Sequence, residues 1–554
     1  MPTLDISLKD LNKLSKLNLS FAEVEERAIL YVKGEIDGHD GDDLKVDCKE
    51  TNRPDLWSTE GIARELRAKY GKEKGIPKYK VNVSKVVVNI ESSVNKVRPY
   101  IAAAIVKDVK VDNDLIIQMI QLQEKVSMTF GRKRKEVAMG LYDLDKITPP
   151  IRYIGADPDK VKFKPLESER EMSLRQILAR HPKGIEYGHL IKDSDKYPLV
   201  IDSKNVVASM PPIINSDITG KVTEKTKNLF IEVTGFNQDT LNTALNVIVM
   251  ALADRGGKVE SVKIKYDKKT LTSPSFEDKK INVDLDYLKR ISGLNLKDKE
   301  IISLAEKSRF NAKIKKNILE VEYPGYRQDI LHPIDIIEDL IISYGYDKIE
   351  PEIPKLATIG ELDKFEVYCE KVRSLLPGVG AQELLNFTLT NKGILFDKMN
   401  LDEMGVVEIA NPVSNLWSVL RNWMIPSLME FFSKNKNQEY PQQVYEVGDV
   451  VILDDKAETK TKTIKRLAWA LISKDANFTK AKQVLDFVLR SLNVEYKMIE
   501  VEHSSFISGR VARVIVDGQK VAYIGEIHPQ VLINFGLDMP VIAFELNLSD
   551  LYGV

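Results

Sequence analysis

Residues 326 to 349, YRQDILHPIDIIEDLIISYGYDKI, read as one helix with a marked start and a marked stop. Pro333 suits the first turn because it lacks the amide hydrogen that would go unsatisfied there, and Gly345 suits the C-terminal end. Ile334, Ile337, Ile341 and Tyr344 recur at helical spacing as an apolar stripe, which sets Asp335, Glu338 and Asp339 on the opposite face with Asp329 just upstream. Two readings follow from that spacing. Four carboxylates gathered this way are able to hold a hard divalent cation such as magnesium. Acids in a first helical turn also complement the helix dipole and keep a surface hydrated.

Upstream of this helix, residues 255 to 317 hold 17 Lys or Arg against 9 Asp or Glu, the one sizeable basic stretch. Downstream, EPEIPK marks a break through its two prolines. Working outward from the helix, four segments are predicted: residues 1–80, 81–267, 268–352 and 353–554. The first alternates short strands and helices, with a helix from Ser58 to Tyr70 that Gly71 stops. A Gly, Pro and Lys-rich run, GKEKGIPKYK at 71–80, reads as a linker. The second mixes β-branched runs such as VVVNI and IAAAIV with helices at Leu115–Thr129 and Thr240–Ala253, an α+β pattern. The third reads as short helices and strands. The last opens with a helix and continues as VVEIAN, QQVYEVGDVVIL, RLAWALI, RVARVIV, KVAYIGEIH and VIAFELNL, the pattern of an antiparallel sheet. DDKAETKTKTIKR at 454–466 reads as an exposed hairpin loop.

A chain of 554 residues at about 150 per domain agrees with several cores rather than one. Its 81 basic and 82 acidic residues give a net charge of -1, so no global field draws it onto nucleic acid and any RNA contact is local. Cys48 and Cys369 are too few for a disulfide framework or a CxxC metal site, a usage that fits a reducing cytosol. The N-terminus lacks a signal-peptide core, and the longest apolar run, Ala244–Ala253, is interrupted by Asn246 and is too short to span a membrane. A charged fraction of 29% agrees with growth at high temperature. The chain carries no GxxxxGK[ST], HExxH or GxSxG motif, which removes the self-contained phosphate-loop, zinc-protease and nucleophile-elbow classes.

Two further blocks stand out. In TNRPDLWSTEGIARELRAKYG, residues 51–71, Asn52, Arg53, Pro54 and Asp55 form a tight turn before the helix. In residues 205–242, Pro211 and Pro212 fix an extended segment. The strand LFIEVT then places Phe230, Glu232 and Thr234 on one face and Ile231 and Val233 on the other. Glu232 and Thr234 face solvent if only the Ile/Val face is covered; if they line a cavity, they form a polar pair able to recognise a hydroxyl.

In combination and in order, these blocks resemble the beta subunit of phenylalanine–tRNA ligase along nearly the whole chain. NRPDLWSTEGIARELR is similar to the family's N-terminal block, MPPIIN with FIEVTG to its editing domain, and RQDILHPIDIIEDLIISYGYDKI to its magnesium-associated domain. NPVSNLWSVLRNWMIPSLMEFFSKN, YEVGDV and YIGEIHPQVL are similar to its class II synthetase-like core. GEIDGHDGDDL passes straight into VDCKETNRPD, leaving no room for an inserted barrel, and no tail follows the core, so the short archaeal and eukaryotic type is the nearer match. The fold class implied is a multidomain α+β chain: a small N-terminal α/β unit, an α+β editing domain, a small helical or winged domain, and an antiparallel core without catalytic motifs.

The resemblance also implies roles. Asp329, Asp335, Glu338 and Asp339 match the family's magnesium ligands. Val200, Ser209, Glu232 and Thr234 match its editing pocket, where tyrosine misattached to phenylalanine tRNA is hydrolysed. Because phenylalanine is the smaller side chain, a size sieve cannot spare it, and a buried acceptor that phenylalanine would leave unpaired must discriminate; Glu232 is the candidate, with Ser209 and Thr234 orienting substrate or water. Tyr142, in GLYDLDKI, departs from the histidine expected there. The core lacks the arginine-bearing loop and the GxGxGxxR signature that hold ATP in active class II enzymes, so the chain alone is expected to form no adenylate. A helix over Leu416–Lys434 is expected to face either the core or a partner. The implied assembly is two alpha and two beta chains in the cytoplasm, acting on ATP, phenylalanine and tRNA. Other functions compatible with the same blocks are an RNA-binding scaffold with a dead pocket and a free-standing deacylase.

Overall fold

Ser58, with Gly61 three residues on, shows how local chemistry sets the first element. The Ser58 hydroxyl accepts the Gly61 amide at 3.1 Å and caps the helix Thr59–Lys69. A Cβ on Gly61 would lie 1.9 Å from the Asp55 carbonyl oxygen, so only glycine lets this helix rest on the preceding turn. The computed structural model describes residues 2–552, which fall into two units, residues 1–352 and 353–554.

In the first unit, the strand Asp43–Cys48 sits between Thr3–Ser7 and Gly34–Asp40 in an antiparallel sheet. A ten-stranded sheet follows. Tyr100–Lys107, Leu229–Gly235 and Val137–Asp143 lie side by side at one end of it, and Lys258–Lys265 joins them in parallel to Val81–Ile90. The helices Asn113–Lys125 and Gln238–Asp254 cover one face, where the N-terminal residues Leu4, Val46, Trp57 and Leu66 continue the same core. The other face has a separate core around Tyr142, Tyr153, Val200 and Phe230. A third, three-stranded sheet centred on Ile318–Tyr323 packs against the helices Leu285–Ser292, Asp298–Lys307 and Pro333–Tyr344.

The run 71–80 is not a free linker. Its Gly75 amide donates to Glu306 O at 2.9 Å, the Tyr79 hydroxyl donates to Asp254, and Ile76 is buried. Thr59–Lys69 is buried along its whole length, between the large sheet and the small domain.

The second unit is a seven-stranded, almost wholly antiparallel sheet with a core on each face. The helices Lys364–Leu375 and Phe478–Ser491 cover one side, and Ile425–Lys434 and Pro529–Phe535 the other. The helix expected over 416–434 is only half present: Asn415–Trp417 is a single 3-10 turn, Val419–Leu420 a short strand, and the helix begins at Ile425. Pro426 explains the boundary, because it has no amide hydrogen to bond a turn back and its ring crowds a preceding helical turn. VVEIAN forms no strand, keeping a single bridge from Glu408 to Val419. The hairpin loop is 454–460, since Thr461–Ile472 already pairs with Gln442–Leu453.

Candidate functional site

Glu232 is the least expected buried charge of the large sheet. Its strand, Leu229–Gly235, is buried throughout, because neighbouring strands flank both edges and the two cores cover both faces. Glu232 is 2% exposed and Thr234 0%, so the solvent-facing reading of this polar pair fails. Across the sheet, Glu232 stands opposite Gly140, and the Tyr142 hydroxyl donates to its Oε1 at 2.8 Å. Oε2 is buried and has no hydrogen-bond partner, and neither has the buried Ser209 hydroxyl beside it. Burial pushes the Glu232 carboxyl up to about 7, opposed by the Tyr142 hydrogen bond, the nearby Arg98 charge and Ser209.

Val200 and Ser209 are register partners on adjacent strands, and Val200 packs in the same core as Tyr142 and Phe230. Three of the four expected pocket residues, Val200, Ser209 and Glu232, thus gather around Tyr142. Thr234 is committed elsewhere: its hydroxyl accepts Arg98 Nε at 3.0 Å and its carbonyl accepts Arg98 Nη2. Arg98 is itself buried, and that burial lowers its guanidinium to about 10.

A cavity of about 310 Å³ reaches Glu232 from outside, past Ile120 and Met119 on one side and Pro212 to Asn215 on the other, with Arg134 and Lys183 also in its lining. A partly apolar cavity with a buried carboxylate in its lining, one of whose oxygens has no hydrogen-bond partner, is suited to an aromatic group carrying a hydroxyl donor. A larger cavity, about 670 Å³, lies in the second unit around Trp469 and Leu471, with Lys474, Asp475 and Lys480 in its lining.

Sequence reasoning missed Arg98 and the Tyr142–Glu232 contact. One signal was available for the second: a glycine inside a β-strand marks a close approach. A Cβ on Gly140 would fall 2.1 Å from the Tyr142 hydroxyl and 2.7 Å from Glu232 Oε1.

The four carboxylates implied as magnesium ligands line one small cavity together with Lys33, Arg53 and Arg327, and each already has a partner in the protein. Arg327 donates to Asp329 at 2.7 Å and to Asp339 at 2.6 Å. Lys33 pairs with Glu338 at 2.9 Å, and Asp335 accepts the Leu331 and His332 amides at 2.8 and 2.7 Å as part of a helix cap. Asp339 is buried rather than outward-facing, and the apolar stripe is rotated accordingly: Ile336, Ile337 and Leu340 are buried while Ile334 is exposed. Among the described residues, no three His, Cys, Asp or Glu side chains assemble as a cation set. Burial and the neighbouring Arg53 oppose the Arg327 charge, yet Asp339 and Asp329 hold it above its usual range. Burial opposes the Asp329 charge as well, but Arg327 keeps its carboxyl below the usual range. Stripping divalent cations with EDTA is therefore expected to leave the melting temperature of the isolated chain within about 1 °C of its untreated value; a fall of several degrees would place a cation among these carboxylates.

Of the basic stretch 255–317, Arg255 is paired with Asp10 and Glu60 and the buried Arg309 with Glu73, while Lys258, Lys313 and Lys315 pair with acids. Lys263, Lys265, Lys268 and Lys269 stand exposed. In the second unit, Arg421 pairs with Glu446 and Arg466 with Glu545, each at 2.7 Å.

Three family models match in order along the chain: the B3/4 domain over residues 87–251, the tRNA synthetase B5 domain over 281–346, and the phenylalanyl tRNA synthetase beta chain CLM domain over 349–548. The phenylalanine–tRNA ligase beta subunit of Pyrococcus abyssi is 49% identical over 556 residues, covering 100% of both chains. That of Methanocaldococcus jannaschii is 40% identical, covering 99% of this chain and 100% of the other. A crystal structure of an N-terminal fragment of the phenylalanyl-tRNA synthetase beta subunit from Pyrococcus horikoshii superposes with a TM-score of 0.61 at 48% identity, covering 62% of this chain and 100% of the fragment.

Proposed function

The chain belongs to the phenylalanine–tRNA ligase beta-subunit family, and from that membership and the Glu232 cavity we propose that it hydrolyses tyrosine misattached to phenylalanine tRNA while supporting charging by the alpha subunit. The observation that supports the editing role is a cavity whose lining includes Glu232, a buried carboxylate with an unpaired Oε2. A tyrosine phenol donates to that oxygen. A phenylalanine ring entering the same space leaves a buried acceptor unpaired, and sites of this kind reject the analogue lacking the hydroxyl strongly, by as much as ~10⁴-fold. In the reaction a water oxygen bonds to the ester carbonyl carbon as the bond to the tRNA ribose breaks, one water proton passing to the departing ribose oxygen and the other leaving with ionisation of the product carboxyl. Ser209 stands beside the carboxylate as a second polar contact. Thr234 acts through Arg98 rather than on substrate, since its hydroxyl is already engaged.

The test is hydrolysis of tyrosyl-tRNA carrying the phenylalanine anticodon, by this chain with and without the alpha subunit. Hydrolysis well above the buffer rate supports the reading. A rate equal to buffer in both preparations overturns it and leaves an architectural subunit.

We also propose an assembly of two alpha and two beta chains in the cytoplasm, and the second unit offers a surface for a protein contact. Leu385 and Phe387 alternate outward from an extended run, with Trp417 set edge-to-face against Phe387 at 5.4 Å between ring centres and the neighbouring Leu416 largely exposed. An apolar group of this kind on a water-facing surface marks a protein contact, and the alpha subunit is the partner the family provides. Phe387→Asp is expected to weaken binding of alpha by about thirtyfold or more in calorimetry; unchanged affinity would move the contact elsewhere. ATP chemistry and its divalent cation belong, on this reading, to the complex and not to Asp329, Asp335, Glu338 and Asp339.

A further inference from the structure

Glu232 already holds one phenol before any substrate arrives. Tyr142, on the neighbouring strand and 0% exposed, donates to Oε1, and the register that sets Gly140 opposite Glu232 leaves the space this contact occupies. Among the described residues Oε2 has no well-formed hydrogen bond, with the Ser209 hydroxyl lying beside the carboxylate. The two oxygens of one carboxylate are therefore chemically unlike: one is fixed by a protein tyrosine, the other is open.

We propose that Tyr142 is a positioning residue for substrate selection, its phenol holding Glu232 in the orientation and ionisation that let the second oxygen select the hydroxyl of a tyrosyl group. The inference rests on the editing role given above and extends it to a residue outside the four pocket positions. Its physical content is that a carboxylate accepting a hydrogen bond is favoured over the neutral acid. Without the Tyr142 donor, the carboxyl would be free to rotate in the cavity floor and would keep its proton more tightly. A neutral carboxyl in that place is a poorer acceptor for a phenol and a donor in its own right, so discrimination against phenylalanine is lost along with affinity.

The groups that bear on this carboxylate come from several elements. Tyr142 and Ser209 flank it, and Arg98 contributes positive charge from the loop before Tyr100–Lys107. Glu124, Arg134, Glu167, Lys183 and Lys221 line the rest of the cavity. Tyr142 is the one among them with a resolved hydrogen bond to the carboxylate.

The experiment compares wild type and Tyr142→Phe in the full complex with alpha, measuring kcat/KM for tyrosyl- and phenylalanyl-tRNA hydrolysis from pH 6 to 8.5, each corrected for the buffer rate. The variant keeps the ring and its packing, and equal melting temperatures within a few degrees establish that it folds. The expected result is a rising limb displaced to higher pH by about one unit, which is a loss of roughly fivefold at pH 7 that nearly vanishes by pH 8.5. A second measurement, the tyrosyl-to-phenylalanyl ratio at pH 7, is expected to fall by a similar factor. A loss that is the same at every pH, which a purely structural role would produce, overturns the inference, and so does an unchanged profile. Absence of hydrolysis by the wild type overturns the editing role itself, an outcome distinct from either.

Discussion

Glu232→Ala is expected to lower kcat/KM for tyrosyl-tRNA hydrolysis by about 100-fold while phenylalanyl-tRNA hydrolysis stays within a fewfold of wild type. The first figure follows from removing a charged acceptor for a buried phenol, an interaction of about 1.5–3 kcal/mol, together with the selectivity such sites show against the analogue without the hydroxyl. The second follows because a phenylalanine ring makes no hydrogen bond to lose. The wild-type rate should also climb with pH through about 7, where the buried carboxyl gives up its proton. Folding provides an independent check with a definite sign. The folded-state pKa lies above the ordinary 4.5, so stability is full at acidic pH and declines as pH rises through about 7, by about 3 kcal/mol in all. Glu232→Gln, neutral at every pH, should lose that decline. Equal hydrolysis of tyrosyl-tRNA by wild type and Glu232→Ala would show that this carboxylate is not the selecting group.

Arg327→Ala is expected to destabilise the first unit by about 3–5 kcal/mol and to lower its melting temperature by roughly 10 °C. Arg327 joins Asp329 and Asp339 in a region where Arg53 also pairs with Asp55 at 2.7 Å, and Lys69 with Glu65 at 3.4 Å. Removing the guanidinium leaves two carboxylates with little water and without their hydrogen-bonding partner, Arg53 being the remaining positive charge on Asp329. The acid limit of stability has the opposite sign from that of Glu232: Asp329 has a depressed pKa in the fold, so its contribution is present above pH 4 and disappears as pH falls through that lowered value. A calorimetric shift of less than about 2 °C in the variant would mean that another cation takes the guanidinium's place.

How far the site could be read from the chain depended on which part of the physics was local. Pro333 and Gly345 bound the helix Pro333–Tyr344 in the structure, with Gly345 at a φ of 102°, because caps depend on neighbours in sequence. Helical spacing also brought Asp335, Glu338 and Asp339 onto one element, but it could not show that Asp339 turns inward, since its partner Arg327 lies outside the helix. Strand alternation separated Glu232 from Ile231 correctly and was silent on what covers the Glu232 face, where Tyr142 and Val200 come from two other strands to join Phe230 of the same strand. The misplaced helix over 416–424 has a local cause, Pro426, that an apolar pattern alone outweighed in the reading.

Lys69 donates to Ser343 at 2.6 Å across 274 positions of sequence, Arg309 reaches the Arg64 carbonyl across 245, and Gln328 reaches Asn52 across 276. On a ribosome, which delivers the chain from its N-terminus, these partners emerge long after the groups that need them. Arg64 and Lys69 must therefore remain hydrated while the large sheet is being made, and the helix that carries them can be enclosed only once the residues around 343 have left the exit tunnel. The first eighty residues, though first in order of synthesis, are among the last to reach their final surroundings.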